Sequence, residues 1–380
     1  MVERLVVAHI NDAFFAKSET FIYQYVSKLK KFHPIFLARE FVNLEQFRIP
    51  DEDCYKINFK RYSLSWLYYG VMRKAFGVDI LAERAIRSRP AQLIHAHFGP
   101  NGVRSLTTKN RLRLPLITTF YGYDVLKLAR LPRWKRDYPK LFKDGDLFLV
   151  EGDHMKSRLS EIGCPVEKIK VQRIAIDLDR VTFRSRVPKN KEKVKLVFCG
   201  RFVEKKGLIY ALEAVRKVRE HHDNFEFRIV GDGPLKNSIE RYVEEHKMDS
   251  YVKILGFLNY DSYIKEFCAA DLFVQPSVTA VDGDTEGGAP TTILEAQAAG
   301  LPVISTYHAD IPNIVVSGQS ALLSKERNTK ELAGNISMLI EHQDRWSDMG
   351  RVGRDFVERY HNVKSEVVRL EEKYAGVLKA

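Results

Sequence analysis

The sequence predicts an α/β protein with two Rossmann-like domains, each a doubly wound parallel sheet, that face a central cleft. Short apolar runs alternate with amphipathic helical stretches from end to end, a pattern typical of βα units. With 380 residues, the chain is long enough for two cores of ordinary size. A polar, charged segment that contains a proline, residues 184–193, indicates a linker near the middle.

The strands follow from apolar runs of four to six residues. In the first half they are predicted at 5–10, 34–38, 93–96, 116–120 and 147–150, with a helix over 19–31. In the second half they are predicted at 195–199, 226–230, 252–255, 272–275 and 302–306. We therefore expect one domain over residues 1–185 and another over 194–345, with ligands beyond the carboxyl ends of the strands.

Composition and patterning exclude several classes of protein. Hydrophobic residues make up 45% of the chain and charged residues 29%, which fits a globular protein and not a disordered one. The first residues lack the layout of a signal peptide, and no apolar run approaches the roughly 18 residues that a membrane span needs. The four cysteines are scattered, which favours reduced thiols in a cytoplasmic protein.

The net charge of +12 is concentrated in the first half, where residues 1–190 hold 35 Lys and Arg against 20 Asp and Glu. This imbalance predicts an anionic partner: nucleic acid, a membrane surface or a phosphorylated substrate. Two stretches, 127–143 and 56–76, mix basic and aromatic residues and fit an interfacial helix on anionic lipid. A solvated helix with an apolar core face is the alternative. Because no recognised motif accompanies the patches, no nucleic acid is expected.

The stretch 282–300, DGDTEGGAPTTILEAQAAG, places two carboxylates around a glycine-rich turn that opens a helix. A glycine turn that enters a helix gathers unpaired N–H groups at the positive end of the helix dipole, where anions bind. Glu286 and Glu295 beside such a site suit a ligand with negative charge and hydroxyl groups, such as a nucleotide-sugar. An ordinary loop with exposed acids is the alternative.

Two further loops follow predicted strands of the second half. In GRFVEKKG, residues 200–207, Arg201 and Lys206 could together neutralise a diphosphate, unless the loop is merely solvated. In GDGPL, residues 231–235, the glycines Gly231 and Gly233 permit a close approach of the backbone to a ligand, or form a plain turn. Because this is not a GxGxxG fingerprint, it gives little support to NAD binding.

Two motifs of the first half also end predicted strands. HAHFG covers residues 95–99, and TFYGYD covers 119–124. His95 and His97 could share one face of a strand, but no third ligand at the spacing of a metal site is evident. A polar wall that contacts a sugar and a buried, hydrogen-bonded histidine remain the two interpretations.

Taken together, these motifs resemble those of the retaining glycosyltransferases of family 4, which have the two-Rossmann GT-B fold. The resemblance covers nearly the whole chain and also includes SETF at 18–21, EGDHMKSRL at 151–159, residues 163–179 and the run 256–277. It is nearest to bacterial exopolysaccharide and lipopolysaccharide hexosyltransferases. The resemblance also implies that C-terminal helices, residues 346–380, cross back to pack on the first domain.

The resemblance implies roles at the donor. Arg201 and Lys206 would bind the diphosphate and stabilise the leaving group, whose charge grows in the transition state. Glu295 would hold the ribose hydroxyls. The remaining donor contacts are the backbone N–H groups at Gly287, Gly288 and Ala289, which would hold phosphate and sugar, and the backbone of Phe257 and Leu258, which would contact the base.

On the transferred sugar and the acceptor, the resemblance implies His97, Tyr121, Asp124 and Glu286. The chain departs from the family at several of these points. Its two glutamates lie nine positions apart instead of eight, so Gly287 falls where the first would be counted, and a one-residue bulge would restore Glu286. Tyr121 replaces the usual histidine, and Asn313 stands where an acid is common.

The resulting expectation is a retaining hexosyltransferase of cell-surface polysaccharide biosynthesis. It would use a UDP- or GDP-linked sugar, a lipid-linked or oligosaccharide acceptor, and no metal or other cofactor. It would be cytoplasmic, peripherally associated with the inner face of the membrane. The alternatives are a non-catalytic nucleotide-sugar binding protein on the same fold and an NAD-dependent oxidoreductase.

Overall fold

The computed structural model describes residues 4–15, 20–45, 47–58, 67–72, 77–189 and 192–379. They form two compact units. The first unit comprises Met1–Ala175 and Val363–Ala380, and the second comprises Ile176–Asn362. The chain thus leaves the first unit once and returns to it with its last helix.

The first unit contains a seven-stranded parallel sheet in the order β3-β2-β1-β4-β5-β6-β7. Its strands are β1 Leu5–Phe14, β2 Phe32–Phe41, β3 Cys54–Lys56, β4 Leu93–His97, β5 Leu116–Phe120, β6 Leu147–Val150 and β7 Ile169–Val171. Strands β4, β5 and β6 are buried along their whole length, including the two histidines of β4 and the two threonines of β5. The strand order reverses between β1 and β4, which makes this the expected ligand-binding edge of the sheet.

The helices of the first unit cover its sheet. They are α1 Thr20–Val26, α2 at 67–72, α3 Ile80–Ser88, α4 Gly99–Leu112, α5 Tyr123–Leu126, α6 Pro132–Asp144, α7 Asp153–Glu161 and the C-terminal α14 Val363–Lys379. Helix α14 packs Val363, Val367 and Tyr374 against Val7 of β1 and Leu93 of β4. This burial joins the C-terminal helix to the core of the first unit.

The second unit contains a six-stranded parallel sheet in the order β10-β9-β8-β11-β12-β13. Its strands are β8 Val194–Cys199, β9 Phe225–Val230, β10 Val252–Gly256, β11 Leu272–Val274, β12 Val303–Thr306 and β13 Ala321–Ser324. Its helices are α8 Leu208–Arg219, α9 Lys236–Glu245, α10 Tyr260–Ala269, α11 Thr291–Ala298, α12 Thr329–Glu341 and α13 Trp346–Tyr360. Here the order reverses between β8 and β11.

The structure differs from the predicted domain boundaries at the linker. The second unit begins at Ile176, not after 185, and the described part of the predicted linker belongs to it. Arg186 is only 3% exposed, and its guanidinium donates to the main-chain oxygens of Phe267, Ala270 and Ala299. In the sequence, an arginine that is buried against carbonyl groups looks the same as an arginine in a solvated linker. For this reason the boundary between the domains was predicted too late in the chain.

The C-terminal segment 346–380 also differs from the prediction, because its two helices belong to different units. Helix α13 stays with the second unit, where a Cβ on Gly350 would lie 2.3 Å from the carbonyl oxygen of Gly300. Only α14 packs in the first unit. No helix in the described part of the chain has the length and apolar character that a bilayer span demands. All four cysteines are free thiols.

Candidate functional site

The two basic residues of GRFVEKKG follow β8 but have different surroundings. Arg201 is exposed, and its guanidinium has no hydrogen bond or ion pair to any residue that the structure describes. Lys206 ends a 3₁₀ turn, Glu204–Lys206, and Gly207 follows with φ of 68°. A Cβ on Gly207 would lie 1.8 Å from the carbonyl oxygen of Pro276, so only glycine allows this turn to contact the segment after β11.

Glu286 lies against this turn. Its Oε2 accepts a 2.8 Å hydrogen bond from Lys206 Nζ, and its Oε1 accepts from Ser277 Oγ at 2.6 Å and Gln275 Nε2 at 3.2 Å. Burial of the 4%-exposed side chain opposes ionisation, but the Lys206 and Lys205 ammonium groups outweigh it and lower the pKa of Glu286. The carboxylate is therefore ionised and held beside a cation.

The glycine-rich turn leads from Glu286 into α11. Gly287 adopts φ of 74°, and helix α11 begins at Thr291 after Pro290 with no side-chain cap. Among the described residues, nothing accepts a hydrogen bond from the N–H groups of Gly288 and Ala289. Uncapped amides at the positive end of a helix dipole, near Lys206, form a setting that attracts anions.

Glu295 lies on α11 and is 3% exposed. Burial raises the pKa of its carboxyl to about 7, although the hydroxyls of Tyr263 and Tyr260 and the charge of Arg180 act in the opposite direction. Arg180 also lies 4.0 Å above the Tyr260 ring. Glu295 is thus a buried carboxyl whose ionisation is opposed by its surroundings.

The other predicted donor residues lie on neighbouring loops. A Cβ on Gly231 would lie 1.9 Å from the Gly200 carbonyl oxygen, and one on Gly233 would lie 2.7 Å from that of Phe202. These two glycines therefore let the GDGP loop pack on the GRFVEKKG loop, which is a structural reason for their presence. Phe257 follows β10 and is 59% exposed, and Leu258 beside it is half-buried.

In the first unit, a third histidine joins the two of the HAHFG motif. His9 on β1 pairs in register with His95 on β4, and its Nδ1 lies 3.0 Å from His97 Nε2. Tyr121 Oη contacts His97 Nδ1 at 2.6 Å. Burial lowers the pKa of all three imidazoles, so they are neutral.

The three imidazoles have ligand atoms within 4.8 Å of one another, close enough to consider a metal ion. Five of their six ring nitrogens already have hydrogen-bond partners, including Thr119 Oγ1 and Tyr374 Oη on His95. Only His9 Nε2 lacks a partner, and the adjoining cavity of about 30 Å³ has room for a water molecule. A cation would have to displace several of these bonds, so the cluster fits a buried polar network better.

Asp124 has a different environment from the predicted one. It is fully buried, and its carboxylate accepts hydrogen bonds from the backbone N–H groups of Gly99 at 2.8 Å and Tyr121 at 3.0 Å. Burial raises its pKa to about 6. Asp124 therefore joins the two motif loops to each other and holds the backbone of Tyr121, while its contact with sugar stays a prediction.

The similarity to known proteins agrees with this geometry. The profile of "Glycosyltransferase Family 4" matches residues 20–180, and that of "Glycosyl transferases group 1" matches residues 179–356. The putative colanic acid biosynthesis glycosyltransferase WcaL of Salmonella typhimurium is 32% identical over 315 residues, which are 82% of this chain and 73% of that protein. The chain belongs to glycosyltransferase family 4. It is therefore related to enzymes that transfer sugars.

Other family members and solved structures extend the comparison. The amylovoran biosynthesis glycosyltransferase AmsK of Erwinia amylovora is 33% identical over 66% of this chain and 62% of its own length. HepE of Anabaena in complex with UDP has a TM-score of 0.79 at 15% identity, covering 98% of this chain and 100% of that one. The lipopolysaccharide outer core galactosyltransferase WaaB has a TM-score of 0.72 at 13% identity, covering 97% and 100%. These structures show the shared GT-B fold.

Sequence reasoning missed several residues of this family 4 site. His9 is absent from every motif, although its place on β1 beside β4 could have been inferred from the parallel strand order. His308, two residues beyond β12, contacts the main chain of Glu286. Tyr260, Tyr263 and Arg180 surround Glu295, a contact between distant segments that no spacing in the sequence indicates.

Proposed function

We propose that this family 4 protein transfers a hexose from a nucleotide diphosphate sugar to a lipid-linked saccharide in cell-surface polysaccharide biosynthesis. The observation that carries the proposal is the exposed Arg201 together with the uncapped start of α11, at one edge of the second unit. Lys206 lies on the same loop as the exposed Arg201. It pairs with Glu286, which precedes the uncapped start of α11. The names of the WcaL and AmsK relatives support a role in exopolysaccharide biosynthesis.

The diphosphate would bind to Arg201, Lys206 and the N–H groups near Gly288 and Ala289. Arg201 has no competing partner among the described residues, so its five donors are available to phosphate oxygens. Negative charge grows on the leaving diphosphate as the sugar bond breaks, and fixed cations stabilise that charge most in the transition state. The residues present therefore perform electrostatic work for which no metal needs to be invoked.

The rest of the donor would be held by Glu295 and Phe257. With a pKa of about 7, Glu295 is partly ionised at neutral pH, and its ionised form could accept hydrogen bonds from two adjacent hydroxyls, which suits ribose. The backbone of Phe257 and Leu258, after β10, would contact the base. The structural neighbour HepE was solved with UDP and with UDP-glucose, and a mycobacterial relative is named GDP-mannose-dependent. We therefore keep UDP- and GDP-linked hexoses as the donor classes.

Retention of the anomeric configuration is also proposed, with Glu286 of the second unit at the transferred sugar. For the first unit, the contacts of His97 and Tyr121 with sugar or acceptor stay a prediction. Glu286 is buried and salt-bridged, so it would hold the sugar rather than accept a proton. Retention then follows a front-face or short-lived ion-pair path, in which the departing diphosphate itself takes the acceptor proton. NMR of the product decides this point, since inversion would contradict it.

An anionic membrane surface is the proposed location of the acceptor, at the inner face of the membrane. Helix α6 buries its aromatic side chains, Trp134, Tyr138 and Phe142, so its exposed face offers lipid mainly cations, three of which share an ion pair with Asp137. Arg133, Arg136 and Lys140 have side chains that are 63%, 70% and 64% exposed. In the second patch, of which 59–66 and 73–76 lie outside the described residues, helix α2 exposes Leu67, Tyr68 and Val71.

A thermal-shift screen of UDP, GDP, ADP, NAD and oligonucleotides tests the donor assignment. We expect stabilisation by UDP or GDP, of about 2.7 kcal/mol when the ligand is at 100 times its Kd. Arg201→Ala should reduce that shift, whereas the matched control Arg241→Ala, on the exposed face of α9, should not. A response only to NAD or only to oligonucleotides would overturn the proposal. Nucleotide-sugar binding without transfer to any acceptor would indicate a non-catalytic binding protein.

A further inference from the structure

One buried histidine connects three loops at the carboxyl edge of the second sheet. His308 follows β12 and is 2% exposed. Its Nε2 lies 3.1 Å from the backbone nitrogen of Glu286, on the loop after β11. Its Nδ1 lies 2.6 Å from Oε1 of Glu326, which follows β13. The imidazole thus joins the loops after β11, β12 and β13.

The chemistry of these contacts fixes the tautomer of His308. A backbone N–H group can only donate, so Nε2 must carry a lone pair and the ring proton must be on Nδ1. Nδ1–H then donates to the Glu326 carboxylate, which orients the ring. Glu326 is itself held by the backbone N–H of Thr279 at 2.8 Å. Because both ring nitrogens are engaged, His308 has no free atom with which to exchange a proton with substrate.

The Glu286 main chain needs such an anchor. Gly287 has φ of 74°, so the chain turns sharply immediately after Glu286 before entering α11. The carboxylate of Glu286 meets Lys206 at 2.8 Å, and a small displacement of its Cα would separate the two charges. A neutral imidazole acceptor on a neighbouring strand holds that backbone position without adding a charge next to Lys206.

We propose that His308 is a positioning residue that sets the place of Glu286. The inference rests on the proposed glycosyl transfer for its effect on turnover. It also makes a claim about the Glu286 loop that does not depend on any donor. Glu326 acts through His308, since it fixes the tautomer that leaves Nε2 as an acceptor.

Two substitutions of His308 separate positioning from simple packing. His308→Leu removes both hydrogen bonds, whereas His308→Gln keeps an oxygen that can accept from the Glu286 N–H. We expect His308→Leu to lower kcat roughly 10- to 100-fold, because displacement of a site group by about 1 Å has such an effect, and His308→Gln to recover much of the loss. His361→Leu, which removes another buried imidazole at the end of α13, is the matched control and should leave kcat close to that of the wild type.

A double-mutant cycle and hydrogen exchange complete the test. If His308 acts by placing Glu286, His308→Leu should add little loss of turnover in a Glu286→Gln background. Amide exchange of residues 284–289, measured without donor, should be faster in His308→Leu and near that of the wild type in His308→Gln. Unchanged exchange in His308→Leu, or additive losses of turnover in the cycle, would overturn the inference. An inactive wild type would contradict the proposed function alone, because the exchange comparison would still decide the role of His308.

Discussion

At the scale of single residues, burial controls how Glu295 ionises. Its carboxyl lies on α11 against Tyr260 and Tyr263, and its pKa is raised to about 7 from an ordinary 4.5. Between these two values the folded chain holds a proton that the unfolded chain has released. Stability therefore falls as the pH rises from about 4.5 through 7.

Glu295→Gln should remove this dependence, because the amide does not titrate. Relative to the wild type, the variant should gain stability as the pH is raised from 5 to 8, by about 3 kcal/mol at most. Urea melts at several pH values measure the difference, and the exposed Glu240→Gln serves as the control. A difference between Glu295→Gln and wild type that is constant with pH would show that Glu295 is ionised in the fold throughout this range.

For single residues of the candidate site, the sequence predicts positions after strands but not the contacts between side chains. The loops that carry Arg201, Lys206 and Glu286 were predicted to follow strands of the second unit, and the structure has them after β8 and β11. The contacts between these residues could not be predicted from the sequence. Lys206 and Glu286 are 80 residues apart and meet only because β8 and β11 are neighbours in the sheet. The backbone contacts of Asp124 were also not predictable, because a carboxylate that accepts two backbone hydrogen bonds has the same sequence signature as one that contacts substrate.

At the scale of elements, apolar runs predicted all the strands that carry the site loops. The strands missed were β3, β7 and β13, which lie at sheet edges and are three or four residues long. Strands β3 and β7 contain exposed lysines and lack the uniformly apolar run by which the equally short β11 was predicted. The helix patterns of 346–380 were visible, but the assignment of α13 and α14 to different units depends on close packing such as that of Gly350 on Gly300.

Helices α6 and α2 carry the prediction about lipid. Replacement of Arg133, Arg136 and Lys140 by Gln should weaken co-sedimentation with anionic vesicles by about ten-fold, on the basis of about 1 kcal/mol per cation at the surface and partial screening. The control replaces three cations of the second unit, Arg241, Lys247 and Lys253, by Gln. Leu67→Asn with Val71→Asn tests the exposed apolar face of α2.

Two outcomes would contradict the prediction about lipid binding. If the wild type does not co-sediment with anionic vesicles, or if added salt has no effect on its binding, these helices are solvated surfaces and the membrane location fails. A loss of equal size in the control variant would show that total charge matters and that α6 has no special part.

At the scale of the whole molecule, the two units hold different parts of the predicted function. The second unit contains every residue assigned to the nucleotide and diphosphate, while His97, Tyr121 and the basic patches belong to the first. The excess of basic residues in the first half, read from composition alone, thus belongs to the unit to which we assign the acceptor. We expect substitutions of Arg201 to affect donor binding and those of α6 to affect only reactions with acceptors in membranes.

The central claim is that Arg201 and Lys206 stabilise a leaving nucleoside diphosphate. Arg201→Ala is the cleaner substitution, because Lys206→Ala also leaves the buried Glu286 carboxylate without its cation. The decisive measurement is kcat for sugar transfer by the wild type, by each variant and by the control Arg241→Ala, with melting temperatures recorded alongside. We predict that Arg201→Ala lowers kcat by about 100-fold or more while its melting temperature stays that of the wild type. Wild-type turnover in both Arg201→Ala and Lys206→Ala would contradict the account.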